Sequence, residues 1–195
     1  MSFTDKLRYA TTSAVSVQSI GWTAGIIGSL GILAIPFGFQ TGFFVLRRDI
    51  LWRHNILLSI RLLVVPSTLE EYLWRVILQP YPTDSSTMGM RVLYCIISTL
   101  AFVAAHPLLA YTIWTRGNYV FRDSRFLLLA LLLGIACTWA YQLSGSVWMP
   151  VAVHWTAVVA WIVFFGGEEK LTGGRNSTSN HQRLDGDNLY SASGS

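Results

Sequence analysis

The chain has 195 residues, of which 52% are hydrophobic and only 12% charged. A soluble domain carries roughly 25% charged residues, so this composition excludes the ordinary water-soluble class and points to a membrane protein. The net charge of +4 is small, and no basic run exceeds Arg47-Arg48, which argues against a nucleic-acid partner.

The first 22 residues, MSFTDKLRYATTSAVSVQSIGW, carry Lys6 and Arg8 but no short apolar core ending in a small-residue cleavage site. They are not read as a removable signal. A membrane-spanning helix needs about 20 mostly apolar residues. Five segments approach that length: one within Ile20–Leu46, interrupted by Pro36, then about Ile56–Leu78, Val92–Trp114, Phe126–Gln142 and Val147–Phe165. Alternating strands of an outer-membrane barrel are not apparent, so each segment is expected to be helical. The first segment holds Gly21, Gly25, Gly28, Gly31, Gly38 and Gly42. Small residues at such spacing let helices approach closely, and they are expected to form a packing face within the bundle.

Cys95 and Cys137 fall inside apolar runs and read as small buried hydrophobes. From Gly166 the composition turns to Gly, Ser, Asn and charge, which is expected to give a disordered polar tail over 166–195. The sequon Asn176-Ser177-Thr178 and His181 lie in this tail and receive no role. With five spans, one side collects Arg47, Arg48, Arg53, Arg116, Arg122, Arg125, Lys170, Arg175 and Arg183, against Lys6, Arg8 and Arg91 on the other. The richer side is expected to be cytoplasmic, with the N-terminus outside and the C-terminal tail inside.

Ionisable residues inside spans are costly and tend to face the bundle interior. Here they are Arg61, Glu70, Glu71, Arg75, His106 and His154, with His54 set aside in a basic loop. Glu71 and Arg75 are four residues apart and share a helix face, so they are expected to pair. Glu70 lies roughly 100° around the helix, and Trp74 occupies the position where a partner would stand. Its partner must come from another helix, and His106 and His154 are the candidates. A carboxylate between desolvation and a basic neighbour suits general base work. Two acids and two histidines are also possible zinc ligands, although no HExxH pattern is present.

The stretch Glu70-Glu71-Tyr-Leu-Trp-Arg75 resembles the EExxxR motif of the CAAX-protease and bacteriocin-processing (CPBP) family. Phe102-Val-Ala-Ala-His106 resembles its FxxxH motif, and GSVWMPVAV leading into His154 resembles the approach to its third motif. The resemblance covers about residues 66–165. It implies a glutamic intramembrane endopeptidase that needs no cofactor. Glu70 would then activate a water with help from His106, Glu71 and Arg75 would hold the site in shape, and His154 would stabilise the oxyanion. The third motif usually reads HxxxN or HxxxD, and here the fourth residue after His154 is Val158. Valine offers no side-chain hydrogen bond, and Thr156 is expected on another face of the helix.

The expected architecture is therefore all-α: a polytopic transmembrane helix bundle of about five spans over residues 1–165, with the polar tail after it. The implied partners are the lipid bilayer and a membrane-protein or lipidated-peptide substrate. The alternative is a catalytically weak or inactive member of the same scaffold that binds, protects or assembles another membrane protein.

Overall fold

A computed structural model describes residues 2–47, 52–112 and 119–172. Among these residues it is helical, with no strand. A short helix α1 (Phe3–Thr12) precedes α2 (Val17–Gln40). Helix α3 (Trp52–Leu62) leads through wider, π-type turns at Leu63–Thr68 into α4 (Leu69–Glu71) and further π-type turns at Tyr72–Ile77. Then follow α5 (Met88–Thr112), α6 (Ser124–Ser144), α7 (Trp148–Val159) with a π-type turn at Ala160–Phe164, and α8 (Gly167–Thr172).

Among the described residues three helices, α2, α5 and α6, are long and apolar enough to cross a membrane. The other two expected spans are realised differently. The 56–78 stretch is interrupted where Val65 takes an extended conformation before a cis Pro66, which turns the chain so that α4 runs on as a separate segment. The last apolar stretch, Trp148–Phe164, is shorter than the other spans. Pro36 does not interrupt the first helix, which continues to Gln40. Likewise α5 passes through Pro107.

Helix α6 is the axis of the bundle: 44% of its most apolar stretch is buried, against 6% of that of α2. Phe102, Ala130, Leu133, Cys137, Ala140, Met149 and Val153 form the core that joins α5, α6 and α7. Close helix packing occurs at Gly134, where an added Cβ would come within 3.1 Å of both Phe102 and Thr99. Along α2, where the glycine spacing suggested the same, Gly38 packs closely against Phe44 but three others do not. Gly21, Gly25 and Gly28 have open space around them, so this face looks outward. The reason is that glycine spacing marks a smooth face without saying which way it points.

Each end of the bundle is closed by polar contacts. At one end Arg125 Nη1 donates to the Thr41 carbonyl at 2.9 Å, and Arg47 and His54 both reach Glu168 on α8 at 2.7 Å. The first residues of the expected tail are thus helical and tied to the bundle. At the other end the amphipathic α1 lies across the bundle, with Lys6 Nζ donating to Ile77 O at 3.1 Å and Val147 N donating to Ala10 O at 2.9 Å. Arg47, Arg125 and Lys170 stand at the first of these ends, and Lys6 and Arg91 at the other. Arg48, Arg116, Arg175, Arg183, the sequon and His181 lie outside the described residues.

Candidate active site

The charged residues of α4 and its following turn point in two directions. Glu71 and Arg75 are fully buried, and Arg75 Nε lies 3.1 Å from Glu71 Oε2. This is the pair that their spacing predicts. Arg75 also donates from Nη2 to the carbonyl of Gly134 at 3.2 Å, and its guanidinium lies 5.2 Å from the centre of the Phe102 ring. Two buried opposite charges with added hydrogen bonds offset part of their desolvation cost. Glu70, by contrast, is about 30% exposed and lines a cavity of about 1010 Å³.

His106 and His154 line the same cavity from α5 and α7. His154 stands between the two acids. Its Nδ1 lies 2.7 Å from Glu71 Oε1, and its Nε2 lies 4.0 Å from Glu70 Oε2. A histidine whose one nitrogen is held by a carboxylate has its ring orientation fixed and its other nitrogen free for chemistry. Glu70 therefore finds a partner on another helix, as its lack of one on its own helix requires.

His106 is oriented differently. Its Nδ1 lies 2.9 Å from the carbonyl of Phe102, one turn back on α5. A carbonyl only accepts, so Nδ1 carries the proton, and in the neutral ring Nε2 keeps its lone pair. Pro107 has no N–H to give to the turn before it. Phe102 is the common wall of the site. Its ring centre lies 4.9 Å from that of His106 and 6.0 Å from that of His154, each approached edge-on.

The rest of the cavity is apolar, with Ile27 and Leu30 of α2, Trp74, Leu109, Phe126 and Leu133 among its walls. Val158 and Thr156 also border it. The arrangement is a few convergent polar groups at the wall of a large apolar chamber, the usual form of a ligand site. Arg61 takes no part, being exposed on α3. His54 sits at the basic end against Glu168.

Donor atoms of Glu71, Cys137 and His154 lie within 4.8 Å of one another. Two of them already face each other across the Nδ1–carboxylate bond, and the Cys137 thiol lies 3.6 Å from the Pro150 carbonyl it donates to. The Arg75 cation beside Glu71 opposes a second cation there. The set is balanced as a hydrogen-bonded cluster rather than as an open ligand cage.

Two features escaped the sequence reading. One is the Glu71–His154 bond, which joins residues 83 apart in the chain. The other is Gln79, fully buried, with hydrogen bonds to α5 and α6. The regular spacing Glu71, Arg75, Gln79 places all three on one helix face and was the available signal.

Residues 52–160, more than half of the chain, match the family model described as Rce1-like, type II CAAX prenyl endopeptidase. The match takes in Glu70, Glu71, Arg75, Phe102, His106 and His154. No curated protein and no solved structure matches the chain.

Proposed function

The chain belongs to the Rce1-like family of type II CAAX prenyl endopeptidases, and on that premise we propose that it hydrolyses a peptide bond near the C-terminus of a prenylated, membrane-associated protein. The observation that carries this reading is the placement of Glu70 and His154, 4.0 Å apart at the wall of an apolar chamber. Glu70 takes a proton from a water, and the hydroxide attacks the scissile carbonyl. His106 Nε2 accepts a hydrogen bond from the same water and orients it. His154, held at Nδ1 by Glu71, donates from Nε2 to the oxygen that becomes an oxyanion. Glu70 then passes its proton to the leaving amine. Preorganised donors of this kind contribute the largest share of stabilisation in acyl transfer. The apolar chamber receives the lipid chain of the substrate, and the basic end of the bundle faces the cytoplasm.

The test is cleavage of a farnesylated C-terminal peptide by the protein in liposomes, with Glu70→Gln, His106→Ala and His154→Ala as comparisons. Loss of cleavage in all three supports the reading. Val158 favours a second reading, a scaffold that holds a membrane protein without cutting it. In that case the wild type binds the peptide and releases no product.

A further inference from the structure

Behind the site, on the side away from the cavity, lies a second polar cluster that the chemistry does not use. Its centre is Gln79, 0% exposed, at the end of the segment that carries Glu70, Glu71 and Arg75. Its Nε2 donates to Ser98 Oγ on α5 at 3.2 Å and to Thr138 Oγ1 on α6 at 2.9 Å. Its Oε1 receives Gln142 Nε2 at 3.3 Å and the Cys95 thiol at 3.7 Å. Both donors and both acceptor positions of the carboxamide are engaged. Thr138 is in turn 3.1 Å from Thr99, and Ser98 Oγ donates to the Trp74 carbonyl.

The register of these contacts is the telling point. Gln79 lies eight residues after Glu71, and His106 lies eight residues after Ser98. The α4 segment and α5 run antiparallel, so the Gln79–Ser98 bond sets Glu71 level with His106. Against α6 the segment runs parallel. Arg75 meets Gly134 and Gln79 meets Thr138 at the same separation of 59 residues. Between apolar helices in lipid nothing but packing opposes an axial slip, whereas interhelical hydrogen bonds are directional. A slip of one residue is about 1.5 Å along a helix, and a misplacement of about 1 Å can cost on the order of a hundredfold in rate.

We propose that Gln79, with Ser98 and Thr138, is a positioning set that fixes the axial register of the acid-bearing segment against the helix that brings His106. This rests on the proteolytic reading above.

The test uses the full chain in lipid nanodiscs. Replacing every member at once, in Gln79→Leu/Ser98→Ala/Thr138→Val, leaves few unpaired polar groups and preserves stability better than removing one partner. That variant is expected to melt with the wild type yet lose at least about tenfold in kcat with KM unchanged. The ¹⁵N signal of His154 Nδ1 is expected to broaden or split as its bond to Glu71 loses one fixed geometry. A folded triple variant with wild-type kcat and one sharp His154 signal overturns the proposal. If the triple variant does not fold, Thr138→Val and Thr138→Ser decide. Valine should lower kcat and broaden the signal while serine retains both wild-type values, and identical behaviour of the two overturns it. If Glu70→Gln cleaves like the wild type, the proteolytic reading falls separately, and the His154 signal alone decides the role of Gln79.

Discussion

Glu71 Oε1 lies 2.7 Å from His154 Nδ1, across 83 residues of chain. The same carboxylate faces Arg75 through its other oxygen at 3.1 Å. One buried acid thus joins the segment bearing Glu70 to the helix bearing His154. The adjacent acids have separate surroundings: Glu70 borders the cavity, while Glu71 is fully buried behind it.

Removing either member of the Glu71–Arg75 pair leaves the other as an uncompensated buried charge. Glu71→Gln and Arg75→Met should each destabilise the protein by about 3–5 kcal/mol. The double variant should cost clearly less than the sum of the two. Thermal and denaturant unfolding in detergent micelles measures this, and strict additivity would show that the pair is not coupled.

Val158 stands where the family pattern usually has Asn or Asp, and it borders the cavity. On the proposed mechanism, Val158→Asn would place a donor one helical turn from His154, on the cavity that both border. If that donor is the missing one, kcat should rise by up to about a hundredfold. Single-turnover cleavage in liposomes reads the effect. An unchanged rate would show that this chain stabilises the oxyanion without a group at that position.

Gly134→Ala tests the close approach of α5 and α6. The added methyl meets Phe102 and Thr99 at 3.1 Å, tighter than ordinary contact. Overpacking of this kind costs typically about 1–3 kcal/mol. Because Phe102 walls both histidines, the variant should also lower cleavage by more than its loss of folded protein. A melting temperature equal to the wild type would mean that the helices separate without penalty.

Glu168 tethers α8 at the basic end. Burial raises its carboxyl pKa, but the bonds from His54 and Arg47 outweigh that and hold it below the ordinary value of 4.5. A depressed carboxylate contributes stability above its unfolded pKa, and that stability is lost as pH falls through the folded one. Amide exchange protection over 167–172 should therefore persist from neutral pH to about 4.5 and fall below it. Glu168→Gln should show the lower protection at every pH, and a pH-independent protection in the wild type would contradict the account.

The helical architecture was legible because long apolar runs in lipid leave the backbone few alternatives. The Glu71–Arg75 pair was legible because a four-residue spacing is local. The convergence of Glu70, His106 and His154 was anticipated by their rarity as intramembrane charges, not by any periodicity. What escaped the sequence was the direction of faces. Nothing in the spacing of Gly21, Gly25 and Gly28 says that they look outward, and nothing local reveals that Gln79 meets Ser98 and Thr138. The break at Val65 also depends on tertiary placement, since apolar length alone reads 56–78 as one continuous helix. Glu168 belongs to a polar stretch whose composition suggests disorder, and its order comes from Arg47 and His54, more than a hundred residues earlier.

The most direct measurement compares wild type with Glu70→Gln in liposomes, using a farnesylated C-terminal peptide and following both product release and thermal unfolding. Glu70 is partly exposed and lies outside the buried Glu71–Arg75 pair, so the substitution should leave the melting temperature close to wild type. Cleavage should fall by about 10²–10⁴, the usual contribution of a general base. Cleavage by Glu70→Gln at the wild-type rate, with the protein folded, would contradict the central claim.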